Sequence, residues 1–446
     1  MKRLTIGMSA TGLALACPFA AAASAGGTTT LESVSTRGAQ GNLPSYAAAI
    51  SADGRHVVFN SDATNLVPRD TNQRTDAFVR DRRTGVTTRI SIATSGAQAR
   101  ATSDPFGGSH ATAISAAGRY VVFRSDAPNL VRHDTNHAQD IFVRDLIAHT
   151  TRRVSISTAG VQANGRSDEP TISADGRYVA FSSTATNLAR GDTNGASDIF
   201  VHDRATGATR RVSVSSHGRR QANAECTAPQ LTRHGRYVVF SSPASTLVPG
   251  DTNGLSDIFV RDRATGVTRR VSVANSGAQA SESSTHTGSN APAVSAGGRY
   301  VVFHSDAANL VSRDTNGAFD IFVRDRVLHT TRRVSVGATG QQADAESLGP
   351  AVISGNGRYV AFASLADNLV AGDANGITDV FIRDLSLRTT FIGSLASDGA
   401  PGNDGSAPAA LSADGRFLAF SSWAGNLVSN DRSPGPDAFV REQDLP

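Results

Sequence analysis

Residues 173–203 read SADGRYVAFSSTATNLARGDTNGASDIFVHD, and versions of this segment occur seven times in the chain. Its glycine, Gly176, has counterparts at Gly54, Gly118, Gly235, Gly298, Gly357 and Gly415. In every copy an aspartate follows 16 residues later and a second one 6 residues after that, as Asp192 and Asp198 do, so this stretch takes no insertion. The copies begin 58 to 64 residues apart, which puts all length variation in the segment leading to the next glycine. A fixed period of this size marks a repeat architecture, each copy being one supersecondary unit.

Each copy reads as four short strands. Strand A is small and β-branched (PTIS, 170–173), and strand B is a nearly continuous apolar run (RYVAF, 177–181), expected to be buried on both faces. Strand C is DIFVHD (198–203), and strand D is read as the alternating RRVSVS (210–215), expected to have one wet face. Asp-Gly between A and B and Thr-Gly between C and D are turn signals. No segment past the first 25 residues has helical periodicity. Four-stranded antiparallel units repeated radially are propeller blades. The sequence therefore predicts an all-β fold, a single seven-bladed β-propeller of four-stranded antiparallel blades.

The ends predict how the ring closes. The seventh copy stops at strand C (DAFVRE, 437–442), while an orphan LESVSTRGAQG (31–41) aligns with RVSISTAGVQA (153–163). An N-terminal strand completing the last blade leaves no open edge, with Leu31 to Thr36 expected opposite Asp437 to Arg441. The pattern S-x-D-G-R-x-x-x-F followed by D-I-F-V-x-D resembles the WD40-like repeat of TolB-type β-propellers across nearly all of residues 26–446. Two features depart from that family: Ser-Ala-Asp-Gly (Ser173 to Gly176) stands where Ser-Pro-Asp-Gly is usual, and TolB itself is similar to a six-bladed ring with an additional N-terminal domain. The resemblance implies the blade, and Tol-Pal partnership is not carried over.

Lys2 and Arg3 precede an apolar run, Leu4 to Ala22, that ends in Ala23-Ser24-Ala25. This reads as a secretory signal peptide over residues 1–25, leaving 26–446 as the propeller in an extracellular or periplasmic setting. Lipid anchoring at Cys17 is the weaker alternative, because Ala14-Leu15-Ala16 lacks a branched apolar residue three before the cysteine and Pro18 follows it. No other stretch is long and apolar enough to span a bilayer. The formal charge is +4, two of those charges lie in the leader, and arginines stand beside aspartates throughout. No basic block of the kind nucleic acid requires is present, and a monomer is expected. Cys226 is alone past the leader, so no disulfide framework exists and a buried, small apolar role is expected for it.

The loop joining strands B and C offers oxygen ligands at fixed spacing. The candidates are Asp70, Asn72 and Asp76; Asp134, Asn136 and Asp140; Asp192, Asn194 and Asp198; Asp251, Asn253 and Asp257; Asp314, Asn316 and Asp320; and Asp373, Asn375 and Asp379. Calcium takes such ligands, but a calcium loop of the EF-hand type also places an oxygen at position 5, a glycine at 6 and a bidentate glutamate at 12. The favoured reading is a structural turn: Asp192 forming an Asx-turn, Gly195 supplying positive φ, and Asp198 capping strand C. In the seventh copy the loop is NDRSPGPD, with Asp431 and Asp437 kept and Ser433 and Pro434 replacing Asn and Gly. The asparagine of NLV (Asn65, Asn129, Asn187, Asn309, Asn368, Asn426; Thr246 in the fourth copy) is expected to bond local backbone. His133 and His137 lack an evident third ligand.

No nucleophile elbow, His-Glu-x-x-His or phosphate loop is present, and no catalytic residue is assigned. The leading expectation is a secreted, non-enzymatic scaffold with no cofactor. It would bind a protein, peptide or glycan on the face carrying the B–C loops and D–A connections, where insertions at 97–112 and 278–291 are longest and are expected to stand across the channel mouth from each other. The alternative is an enzyme of that face acting on carbohydrate, with calcium.

Overall fold

A computed structural model of the chain describes residues 26–100, 102, 107–281, 288–433 and 435–445. The expected leader, Cys17, Pro434 and the middles of the two long insertions lie outside them. The described residues form seven four-stranded antiparallel sheets in a ring. In the third blade, strands A to D are Ser167–Ile172, Tyr178–Ser183, Asp198–Asp203 and Ala208–Arg211. The seventh blade combines Ser406–Leu411, Phe417–Ser422 and Asp437–Glu442 with the N-terminal Thr28–Leu31. No helix among the described residues is long and apolar enough to cross a membrane.

Two strand boundaries differ from expectation for one reason. Strand D is only four residues long and ends at Arg211, so the Val-Ser alternation after it is not a half-wet strand. Val212 is buried in the core, Ser213 turns inward to donate to Asp198, and Val214 bridges to Gln221. The closing strand follows the same rule. Thr28 pairs with Glu442 and Leu31 with Phe439, so the closing segment begins three residues before the expected Leu31 and leaves the sheet where Val-Ser begins.

Burial explains the repeat letter by letter. Val179, Ala180 and Phe181 on strand B, and Ile199 and Phe200 on strand C, are completely buried. Neighbouring blades cover both their faces: Val122, Ile141 and Val143 of the second blade share a cluster with Val179, Phe181 and Phe200 of the third. The phenylalanines of B and C stack in every blade, Phe181 on Phe200 at 6.0 Å between centroids. Truncating such a ring costs about 3–5 kcal/mol. Gly176 is doubly required: its φ is +74°, and a Cβ there would stand 2.2 Å from the ring of Tyr120 in the preceding blade. That ring lies between Arg119, at 4.8 Å, and Arg204 of the next blade, at 4.1 Å. Cys226 occupies a strand A position held elsewhere by serine, and burial pushes its thiol up to about 12, so it packs as an inert small residue.

Candidate functional site

The acidic loops assemble as the spacing implied, and an arginine stands among their carboxylates. Arg211, the last residue of strand D, places Nη1 3.1 Å from Asp192 and 3.2 Å from Asp198. Arg89 does the same for Asp70 and Asp76, both at 3.0 Å. Arg153 serves Asp134 and Asp140, Arg270 serves Asp251 and Asp257, and Arg333 serves Asp314 and Asp320. The inner carboxylate is fully enclosed: Ser213 donates to one oxygen of Asp198, and Asn194 donates to the other at 3.1 Å. Asn194 Oδ1 accepts from the Ala196 amide at 3.1 Å, so the Asx-turn belongs to the asparagine and not to Asp192. Asn72, Asn136, Asn253, Asn316 and Asn375 do likewise.

Two blades lack this arginine. In the sixth, Ile392 takes its place, leaving Asp373 and Asp379 with only Asn375 and Ser394 as donors to Asp379, at 3.0 and 2.7 Å. Burial, and then the Asp379 carboxylate, push Asp373 up to about 6. In the seventh, Leu31 takes its place and the Gln40 amide bridges instead, 2.6 Å from Asp431 and 2.7 Å from Asp437. Among the described residues no three His, Cys, Asp or Glu side chains converge to hold a metal. His133 and His137 are both exposed, and each takes a positive φ. The asparagine of NLV reaches farther than expected: Asn187 donates to Gln162 O at 2.8 Å and accepts from the Asn164 amide at 3.0 Å, clamping the preceding D–A connection. The arginine was legible at a constant 13 residues after the inner aspartate in five copies.

The B–C loops and D–A connections share one face, and the blades differ from one another at its rim. The residue after strand B is Asp62, Asp126, Thr184, Pro243, Asp306, Leu365 and Trp423 in turn. The second residue of strand A and its strand B partner are Tyr46 with Asn60, His110 with Arg124, Asp168 with Ser182, and Asn290 with His304 in the first, second, third and fifth blades. In the fifth blade His304 stacks on Phe319 at 4.3 Å and is largely buried, whereas on the arc of blades 7, 1, 2 and 3 an exposed aromatic pair and a charged cluster occupy the rim. Trp423 is the chain's single tryptophan, 47% exposed, and meets Tyr46, 43% exposed, edge to face at 6.3 Å. Asn60 clamps Ala111 of the next blade through both its amide atoms, at 3.0 and 2.7 Å. Arg124 Nη1 lies 2.7 and 2.8 Å from the two oxygens of Asp168, which Arg166 also reaches at 2.8 Å.

A cleft of about 540 Å³ opens between blades 2 and 3, lined by His110, Arg124, Asp126, His137, Gln139 and Arg166 among others. The Gln139 amide nitrogen is buried there without a hydrogen-bond partner. Burial, reinforced by Arg124, lowers the His110 pKa and keeps the ring neutral at pH 7. Burial alone would raise Asp168, but Arg124 overrides it and holds the carboxyl below its ordinary value. The two long insertions enter this face in blades 2 and 5, through parallel bridges of Gly108 to Thr75 and Gly288 to Ser256. Their middles, 103–106 and 282–287, are outside the described residues.

No protein-family model matches the sequence, and no curated protein does. Solved structures do match. An oligogalacturonate lyase in complex with manganese superposes with a TM-score of 0.53 at 12% identity, over 93% of each chain. The β-propeller domain of the Trilobed protease from Pyrococcus furiosus, described as having an open velcro topology, gives 0.50 at 11% identity over 89% of this chain and 97% of that one. These likenesses show the propeller fold alone. TolB proteins are also among the matching structures. A putative TolB from Agrobacterium tumefaciens is 16% identical over 76% of this chain and 92% of its own, with a TM-score of 0.39, a superposition too loose to build on.

Proposed function

We propose that this chain is a secreted, non-enzymatic propeller that binds a polar glycan or peptide at the channel mouth on the B–C/D–A face. The observation that carries this reading is where the copies disagree. Core strands, the A–B turn and the acidic loops keep one pattern around most of the ring, whereas the rim residues change from blade to blade and bring together Trp423 with Tyr46, and Arg124 and Arg166 with Asp168. The scaffold does not need these residues, since other blades fold with alanine, serine or threonine at the positions of Tyr46, Arg124, Asp168 and Trp423, and with glycine at that of Arg166. Variable exposed groups on a rigid frame are where recognition concentrates. The acidic loops serve as turns in this reading, and in blades 1 to 5 an arginine already stands as counter-ion between their two carboxylates. The second reading, an enzyme of the same face acting on carbohydrate, is favoured by the neutral His110 beside the Arg124–Asp168 pair.

One experiment separates the two. The purified protein is screened against immobilised glycans and peptides, with Trp423→Ala and Arg166→Ala as rim variants, and the soluble fraction is assayed for released fragments. Binding lost in the rim variants at unchanged melting temperature, with no product formed, is the expected outcome. Release of reducing ends or cleaved peptide establishes the enzyme instead, and full binding by both variants places recognition elsewhere.

A further inference from the structure

The arc of blades 7, 1, 2 and 3 differs from the rest of the mouth in kind. Trp423 and Tyr46 present exposed ring surface from neighbouring blades, an apolar corner in which the two rings meet edge to face at 70°. Beyond the Asn60 clamp, the cleft offers donors and acceptors: the Arg124 and Arg166 guanidiniums, which share Asp168 as their counter-ion, the Asp126 carboxylate, the unpartnered Gln139 amide, and the neutral His110 ring, which has one donor and one acceptor nitrogen. The formal charges on this wall cancel. Among the groups that line it, the two positive charges of Arg124 and Arg166 stand against the two negative charges of Asp126 and Asp134.

A balanced wall has no surplus charge with which to neutralise a carboxylate or phosphate. It suits hydroxyl groups, each of which donates and accepts at once. The alternation of guanidinium and carboxylate matches neighbouring hydroxyls on a ring, and an aromatic face matches the C–H face of the same ring. The cleft volume falls within the ordinary range for small-ligand sites, about 300–1,000 Å³.

Building on the mouth as the binding face, we infer that this arc is a site for an uncharged oligosaccharide. One sugar ring stacks on the Trp423 face of the Trp423–Tyr46 pair, and the hydroxyls of another are held in the cleft between blades 2 and 3 by Arg124 and Arg166, which Asp168 positions.

The single tryptophan makes the test direct, because intrinsic fluorescence at 295 nm excitation reports on the platform alone. The full chain is titrated with neutral hexasaccharides of α-1,4-glucose, β-1,4-glucose, β-1,4-xylose, β-1,4-mannose and β-1,4-N-acetylglucosamine, each to 10 mM. The expected result is a saturable shift with at least one of them, changed little between 50 and 500 mM salt. Calorimetry with the same sugar should show Arg166→Ala and Asp168→Asn each weakening binding by about tenfold, the loss of one or two hydrogen bonds. Arg166 is 59% exposed along its side chain, so its removal leaves the fold intact even where Asp168→Asn does not. Trp423→Phe should bind with near-native affinity but without the optical signal.

Absence of a shift with every neutral sugar overturns the assignment. So does tight, salt-sensitive binding of oligogalacturonate alone. A peptide that shifts Trp423 and is lost on Arg166→Ala would overturn the sugar while leaving the mouth reading intact. A sugar bound equally by all the rim variants would remove the mouth reading itself.

Discussion

Restoring the missing arginine of the sixth blade by Ile392→Arg should stabilise the protein at pH 7.5 and destabilise it at pH 4.5. The five arginines at this position are almost covered, with 9–11% of the side chain exposed, and stand 2.8–3.3 Å from two carboxylates each. At an effective dielectric of about 20, each such contact is worth roughly 5 kcal/mol before costs. Against about 10 kcal/mol for two contacts stand several kcal/mol for desolvating the guanidinium, about 2 for ordering the long side chain and about 1 for the apolar contacts of Ile392, part of which the arginine stem retains. A net gain of about 1–2 kcal/mol remains at pH 7.5, where Asp373, held at about 6, is ionised. At pH 4.5 Asp373 is protonated and its contact is lost, while the costs of desolvation, side-chain ordering and the lost isoleucine remain. The assay is a denaturant melt of both proteins at the two pH values, together with Arg211→Met, which strips the third blade of its arginine and should cost about 3 kcal/mol at pH 7.5. A change of the same sign and size at both pH values would refute the view that the arginine acts as the counter-ion of the loop.

Because the loops of blades 1 to 5 hold their own cation, EDTA should leave the melting temperature unaltered within error, whereas a calcium-dependent rise of many degrees would restore the loops as metal sites. Deleting residues 26–32 removes the closing strand and its pairing with Phe439–Glu442, and should lower the melting temperature by about 10 °C and promote association through the bared edge; an unchanged melt would sink the closure. Asp140, Asp251, Asp373 and Asp437 are held near 6, above the unfolded value, so their contribution grows as pH falls from 8 through 6 and is lost as pH rises; the buried histidines His56, His110, His202 and His304, lowered by burial, oppose this below about 6.5. Stability should therefore peak on the acid side of neutrality, between about pH 5 and 6.5, and a steady rise from pH 6 to 8 would contradict it.

Blade count, strand order and ring closure were legible because each rests on a local signal repeated seven times. A glycine before an apolar run marks the A–B turn, and a chain that ends one strand short must borrow that strand from its other end. The fourth strand was misread because Val-Ser alternation has two causes. In a half-wet strand it separates core from solvent; past Arg211 it separates the core position of Val212 from the buried carboxylate that Ser213 serves. Periodicity carries no mark of which polar partner a serine meets. The arginine of the loops was missed for a related reason: it lies on another strand, and only the fold brings it 3.1 Å from Asp192. The rim was located as a face, but its lopsided chemistry depends on neighbours from different copies, such as Tyr46 and Trp423, which are 377 residues apart in sequence.

Seven copies in one chain provide their own control, and that control separates two kinds of departure. Where the seventh blade loses the loop arginine, the change is tied to closure, because Leu31 lies in the N-terminal strand itself. In the sixth blade Ile392 packs instead on the core shared by blades 5 and 6. The rim departures are of another kind. Thr184, Pro243 and Trp423 occupy one position on one backbone, above strands B and C that are buried alike, while Asp126 at the same position accepts from Thr102 and from the Gly108 amide at 3.0 Å and so ties down its own insertion. What distinguishes them is the direction they face, toward a shared mouth where Trp423 meets Tyr46 and Arg124 crosses from blade 2 to Asp168 of blade 3. The Trp423–Tyr46 contact, exposed on both sides and absent from every other pair of blades among the described residues, adds little to the packing, which is why the functional argument rests on this arc and not on the acidic loops that first draw the eye.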